Sequence, residues 1–309
     1  MELHNNVTEF ILLGLLMKKE MKTMCFVIFL ACYLAIFLGN FIIFITITCS
    51  HLMQQPMYYF LWHLSFMDPC FTSTIVPKLI SDLTDTRKTI SYNFCMTQLF
   101  TFHLFGAVEM FILVSMAFDR YVAICKPLHY MIIVNRQRCN MLILLAWGVA
   151  FWHSIAQLLM ILRLPFCGPN QIDHYMCDSK PLLMLACIDT HVAIIANNGM
   201  VALVTFLVLI SSYIAILYNL QRYSSEGRRK ALSTCGSHIM VVVLFFVPCI
   251  STYVPPPSAG NNDKEFSIFY TVIAPMLNPL IYTLRNAEMK NAMQKVWSRK
   301  IDLLFNVNI

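Results

Sequence analysis

Seven long stretches almost free of charge constrain this chain more than anything else in it. Residues 24–48, 139–162, 190–221, 231–262 and 266–284 contain no Asp, Glu, Lys or Arg. Each is long enough, at 1.5 Å per residue, to cross a bilayer core of ~30 Å as a helix. Two further stretches are interrupted once, 57–77 by Asp68 and 89–118 by Glu109. In lipid a helix satisfies its own backbone, so seven such stretches predict an all-α membrane protein, a seven-transmembrane helix bundle. The balance of the 309 residues agrees, since 58% are hydrophobic and only 12% charged, far too apolar for a soluble protein of this size.

An odd number of crossings puts the termini on opposite sides. With the N-terminus extracellular, the inner segments hold 13 of the 22 lysines and arginines, the arrangement that membrane insertion favours. The expected layout is one membrane-embedded domain over 1–309, with an outer N-terminal segment 1–23, a long second outer loop 163–189 and a cytoplasmic tail 286–309. In the tail, Met289, Met293, Val296 and Trp297 fall on one helical face with Lys290, Gln294 and Lys295 turned away. This pattern predicts a short amphipathic helix in the membrane interface after the seventh span. A basic inner surface and a net charge of +6 suit lipid headgroups and an acidic cytosolic partner, with no nucleic acid required. Residues 1–21 lack the pattern of a cleaved leader, so the first span is expected to serve as the insertion signal. Asn6, Val7 and Thr8 fit the glycan acceptor pattern on the lumenal side.

Of twelve cysteines, Cys95, Cys167, Cys177 and Cys187 fall outside, where oxidation is permitted. Four cysteines allow three pairings. Three of them share the second outer loop, so one of those must reach Cys95 and the other two close the loop on itself.

The block 116–130, MAFDRYVAICKPLHY, places Asp119, Arg120 and Tyr121 where the third apolar stretch runs out. A charged pair at a bilayer edge exchanges partners at little cost, which suits a switch better than a catalyst, although such a pair also simply marks a helix end. Asp68 and Glu109 are the carboxylates inside the spans, and isolated ionised acids at that depth are costly. They are expected to share a cation or to hold a proton. Pro69, Pro248, Pro275 and Pro279 each permit a kink. The chain carries no GxSxG, HExxH or CxxC pattern and no phosphate loop, so no catalytic residue and no enzyme activity is expected. A transporter or channel would need repeat-related spans or a pathway with several charges, and two buried acids do not supply one.

With these spans and Asp119-Arg120-Tyr121, the chain resembles the rhodopsin-like (class A) G-protein-coupled receptors. Gly39-Asn40, Asp68, Trp147 and the run Asn278 to Tyr282 match in the first, second, fourth and seventh spans. Within that superfamily it resembles the olfactory receptors, in Pro56 to Leu61, the block 116–130, Ser212-Tyr213, Lys230 to Cys235 and Pro275 to Pro279. It departs from their usual pattern at Gln54, Phe118, Phe246 and Val247, which bears on basal activity and G-protein contact.

The resemblance implies an odorant receptor that binds a small hydrophobic volatile-like ligand and raises cAMP through a stimulatory olfactory-type G protein. It implies a plasma-membrane location in olfactory cilia, with export chaperones as further partners; the same architecture outside the nose would sense a metabolite. Phe102, His103, Gly106, Asn197, Val201, Ile250 and Tyr253 would line the ligand site. Amine receptors carry an acid where Phe102 stands, so no amine salt bridge is expected there. Asp119, Arg120, Tyr121, Lys126, Pro127, Tyr213, Asn278, Pro279 and Tyr282, with Arg228 to Lys230, would switch and couple to the G protein. A bound sodium ion at Asp68 and Glu109 is the one cofactor implied, and the outer disulfides would be Cys95–Cys177 and Cys167–Cys187. His174 and Cys177 as soft-metal ligands are set aside, because a disulfide consumes Cys177. On an ideal helix, Phe102 lies eighteen residues before Arg120, five turns and about 27 Å up the same face, with Gly106 and Glu109 within about 40° of it.

Overall fold

The computed structural model describes residues 7–15, 19–85, 87–167, 169–187, 199–221, 223–254, 263–284 and 286–306. In chain order these form β1 (Glu9–Leu12), α1 (Lys19–Thr48), α2 (Pro56–Ser73), α3 (Val76–Thr84), β2 (Thr89–Ser91), α4 (Tyr92–Cys125), α5 (Tyr130–Ile133) and α6 (Arg136–Leu162). β3 (Gln171–Ile172), α7 (Ser179–Leu183), α8 (Met200–Leu220), α9 (Ser225–Tyr253), α10 (Asp263–Ile268), α11 (Ala274–Leu284) and α12 (Ala287–Asn306) follow, with a π-helical turn at Phe269–Ile273 inside the last span.

Among the described residues, six helices are long and apolar enough to cross a bilayer. The second span is not one of them. Tyr58, Tyr59, Trp62, His63 and Asp68 replace aliphatic residues in α2, and the backbone breaks at Thr74 and Ile75 before resuming as α3. Its crossing follows from connectivity: α1 ends inside, α4 begins outside under a disulfide, and 56–84 is the chain between them. α2 tolerates its polar residues because it packs between α1 and α4, with Tyr58, Tyr59, Ser65, Asp68 and Thr72 all buried.

Caps set several boundaries. Ser91, Asn135 and Ser224 accept backbone N–H bonds at the starts of α4, α6 and α9. Two helices overrun their apolar stretches: α4 continues past Asp119-Arg120 to Cys125, and α9 begins in the basic run at Ser225. The third span therefore does not end at its charged pair, because Asp119 is satisfied inside the bundle.

Polar clamps tie the helices together where lipid offers no hydrophobic drive. Asn40 donates to the Pro275 carbonyl at 3.3 Å, Thr72 to the Thr271 carbonyl at 3.1 Å, and Gln98 to the Thr74 carbonyl at 2.8 Å. Gly39 sits so close to α11 that an added Cβ would stand 3.0 Å from Pro279 Cβ. α12 lays Met289 and Ala292 against the bundle, and Trp297 Nε1 donates to Thr46 Oγ1 at 3.2 Å. Its apolar face thus docks partly on α1 and α11.

The outer face holds a small sheet that the sequence did not suggest. β1 is its central strand, antiparallel to β2 and parallel to β3. Phe10 and Leu12 are fully buried beneath it with Ile90, Leu99, Ile172 and Leu183. The N-terminal segment is therefore part of the roof.

Candidate ligand cavity and activation switch

α4 presents Phe102, His103, Gly106, Ala107 and Met110 to a cavity closed by Phe71, His153, Val201, Phe245, Cys249, Tyr253 and Tyr270. Phe71 and Phe102 stack at 5.3 Å, and Phe245 and Tyr270 stand edge-on at 6.3 Å. The volume is about 40 Å³, well below the 300 Å³ at which drug-sized sites begin, so a ligand must repack the walls. An added Cβ at Gly106 would stand 3.1 Å from Phe71 Cε2, so this glycine serves helix packing as well as cavity room. Of the residues expected here, Phe102, His103, Gly106, Val201 and Tyr253 come together. Ile250 is half-buried and does not line the cavity, because it points to another face of α9 than Cys249 and Tyr253. Asn197 lies outside the described residues, as does Asn6.

The roof is the second outer loop. The disulfide Cys95–Cys177 pins the loop to α4, and Cys167–Cys187 closes it on itself. Cys177 N–H donates to Gln98 Oε1 at 2.9 Å beside the first of these. Asp178, 1% exposed, then accepts from Ser179 N–H at 2.6 Å and from the Tyr253 hydroxyl at 2.7 Å. Its Oδ1 stands 3.5 Å from His103 Nε2. Burial pushes the Asp178 carboxyl above its ordinary range, against the opposing hydrogen bond from Tyr253. Lys180 reaches the Thr252 carbonyl at 2.8 Å and Asp263 at 2.8 Å, and Lys264 reaches Asp173 at 2.6 Å. One loop is thus tied to the third, sixth and seventh spans.

Below the cavity, Asn278 donates to both oxygens of Asp68, at 3.2 and 3.0 Å. Glu109 lies beside Asp68 and interacts with it electrostatically, while Asn278 Oδ1 is buried without a hydrogen-bond partner among the described residues. Two carboxyl groups and a free amide oxygen make an all-oxygen set of the kind a hard cation takes.

At the inner end Arg120 grips Asp119 through Nε at 3.0 Å and a terminal nitrogen at 2.5 Å. Tyr130, the last residue of the block 116–130, donates to the other Asp119 oxygen at 2.7 Å. Tyr213 bonds His238 Nδ1 across the fifth and sixth spans, and the Tyr282 hydroxyl is buried without a partner among the described residues. Tyr121 is half-buried and Pro279 packs on Gly39. Lys126, Pro127, Arg228 and Arg229 are exposed on the inner face, and the side chain of Lys230 lies outside what the structure describes. Tyr59 donates to Asn140 at 2.8 Å under the Arg136 guanidinium, 3.8 Å from the ring centre, which seats the second inner segment.

A family model described as "Olfactory receptor" matches residues 29–300. The chain belongs to the olfactory receptor family. Human "Olfactory receptor 4S2" is 55% identical over 306 residues, covering 98% of each chain. Mouse "Olfactory receptor 4B13" is 54% identical over 299 residues, covering 96% of this chain and 98% of the relative. Human "Olfactory receptor 4B1" is 53% identical over 299 residues, covering 96% and 97%. The chain is therefore a multi-pass plasma-membrane receptor for odorants that works through a G protein, and not an enzyme.

In this olfactory receptor the sequence reading missed Asp178, Tyr130, His238, His153 and the walls from Phe71, Phe245 and Tyr270. Tyr130 lay in plain view in the block 116–130. Asp178 gave no local signal, because one acid in a polar loop looks solvent-exposed until the loop is folded.

Proposed function

We propose that this olfactory receptor binds a small, largely hydrophobic, volatile-like molecule in the cavity over Phe102, His103, Gly106, Val201 and Tyr253, and answers by raising cAMP through a stimulatory olfactory-type G protein. One observation carries the reading: a single unbroken helix, α4, bears the cavity wall at one end and Asp119-Arg120 at the other. The remaining wall includes Phe245, Cys249 and Tyr253 of α9. A ligand that enlarges a cavity this small displaces α9, and only a ligand that binds the displaced form better shifts the balance. Outward movement of α9 parts His238 from Tyr213, leaving Tyr213 and Tyr282 to hold an Arg120 released by Asp119. Lys126, Pro127, Arg228 and Arg229 then face the partner.

A sodium ion or a proton shared by Asp68 and Glu109 belongs to the same proposal, supported by two adjacent buried acids and the unpartnered Asn278 Oδ1 there. So do delivery to olfactory cilia with the help of export chaperones and a glycan on Asn6.

A cell-based cAMP screen against a broad odorant panel tests the reading, with Tyr253→Ala as the control. Agonists that act equally on parent and variant place binding elsewhere. No cAMP rise across the panel in cells that display the receptor removes the stimulatory coupling.

A further inference from the structure

A second hollow lies behind the cavity wall. Its volume is about 630 Å³, within the range of sites that hold a whole small molecule, and α1, α2 and α4 enclose it. Phe41, Phe66 and Phe94 in its lining are 58, 51 and 52% exposed, so the groove opens outward, and on membrane-spanning helices outward is lipid. From Phe94 to Phe105 it runs along α4 for about 16 Å, the hydrocarbon depth of one leaflet.

Its two ends differ. Phe41, Phe44, Phe66 and Phe105 wall the deep end, with the Phe44 and Phe66 ring centres 6.5 Å apart. Ser73, Thr74, Thr97 and Thr101 collect at the outer end. Each of these hydroxyls spends its proton on a nearby backbone carbonyl: Ser73 on Pro69 at 2.5 Å, Thr74 on Phe71 at 2.7 Å, Thr97 on Asn93 and Thr101 on Thr97, both at 2.9 Å. What they have left to offer is acceptor lone pairs. The Ser73 oxygen already faces the Tyr33 hydroxyl at 3.0 Å, and Thr74 is half-buried. Thr97 and Thr101, one turn apart on α4, are the open acceptors above a stiff aromatic trough.

We infer that this groove is a binding site for a membrane sterol, seated from the outer leaflet with its hydroxyl donating to Thr97 or Thr101 and its fused rings along the phenylalanines. A sterol hydroxyl donates, whereas the ester oxygens of a phospholipid only accept and would set acceptor against acceptor. A fused-ring body loses little freedom on docking, while an acyl chain must be held straight against rigid walls. The sterol-rich plasma membrane supplies the occupant. The groove shares its back wall with the ligand cavity: Cys70 and Thr74 flank Phe71, and Thr101 and Phe105 flank Phe102. Gln98, also in the groove, joins the Thr74 carbonyl at 2.8 Å to the Cys177 N–H of the roof at 2.9 Å. A sterol there braces the seam between α2 and α4 without entering the cavity, so the inference stands whatever the cavity binds.

The test uses the full chain in phosphatidylcholine nanodiscs carrying a diazirine-bearing cholesterol, with labelled residues mapped by mass spectrometry and stability read by thermal denaturation. Label is expected within 65–74 and 94–105. Cholesterol should displace it at concentrations about fivefold below those needed by cholest-4-en-3-one, which lacks the donor, or by oleyl alcohol, which lacks the rings. Thr97→Val combined with Thr101→Val should keep the label and erase the difference between cholesterol and the ketone. Thr101→Trp, which fills the groove, should abolish both the label and the rise in thermal midpoint that cholesterol gives. Should that variant fail to fold, Thr97→Trp at the exposed neighbouring position gives the same comparison. Label that maps elsewhere, or that cholesterol does not displace, overturns the site. The ketone or oleyl alcohol competing as well as cholesterol overturns the sterol as its occupant. So does a Thr97→Cys receptor that forms disulfide-linked dimers equally with and without sterol, because a second copy then fills the groove.

Discussion

The Tyr253 hydroxyl, near the outer end of the sixth span, donates a 2.7 Å hydrogen bond to Asp178 of the second outer loop. Roof and sixth span are joined at that bond, directly over the cavity. Tyr253→Phe removes a bond to an acidic acceptor, typically worth about 1.5–3 kcal/mol. Half-maximal cAMP should then need roughly tenfold more odorant, with surface display unchanged. Asp178→Ala also strips the cap of α7 and leaves Tyr253 and His103 facing nothing, so the evoked response should be lost. Dose–response curves normalised to surface receptor check both.

Asp119 is held by Arg120 and Tyr130 together. Tyr130→Phe deletes one of these holds while sparing Arg120, and basal cAMP should rise. Arg120→Ala should fold and reach the membrane but give no evoked cAMP if the proposed release of Arg120 from Asp119 is what engages the G protein. Equal basal signalling in Tyr130→Phe and parent would show that the loop tyrosine does not restrain the switch.

Glu109→Gln keeps the size of the side chain and removes one of two adjacent buried acids. Surface expression should persist while basal nucleotide exchange changes. Exchange in the parent should fall as sodium rises, and the variant should lose that dependence. A sodium titration of nanodisc-embedded receptor with its G protein reads both.

The two outer disulfides span 82 and 20 residues. Loop-closure entropy gives about 4.5 and about 3.3 kcal/mol for such lengths. Cys95→Ser should therefore lower thermal stability more than Cys167→Ser, by roughly 1 kcal/mol. Thermal denaturation of the purified single variants provides the comparison.

His174 is buried in the roof, 2% exposed, with Asp173, Asp178 and Lys264 around it. Burial lowers its pKa to about 4, against 6.5 when free. The unfolded loop takes up this proton first, so the stability His174 lends is whole above pH 6.5 and drains away as pH falls toward 4. Asp178, raised by burial, acts the other way, since its folded form protonates first on acidification. Hydrogen-exchange protection factors of the roof amides should fall between about pH 6.5 and about pH 5, and fall less in His174→Gln.

The third span shows how far sequence reading reaches. Its apolar run, its single acid and the stripe from Phe102 to Arg120 are properties of one helix, and helical geometry alone places them on one side. Met289, Met293 and Trp297 were legible in α12 for the same reason. The second span was readable as a crossing, and its break at Thr74 and Ile75 falls just before Pro77, whose ring opposes the helical carbonyl four residues back and opens α3 instead. Ile250 and Tyr253 are three residues apart on α9, yet only Tyr253 reaches the cavity; which side of α9 faces inward is set by its neighbours.

Composition and periodicity are local, and they suffice for the apolar spans, for the helix that carries Asp119-Arg120 and for the cysteines that share one outer loop. Contacts between distant segments are not local. Asp178 meets Tyr253 across 75 residues and Asn278 meets Asp68 across 210, while β1 enters the roof between two outer loops. Such pairings exist only once helices have packed and expelled solvent, since it is burial that turns an ordinary loop acid into a fixed acceptor for Tyr253.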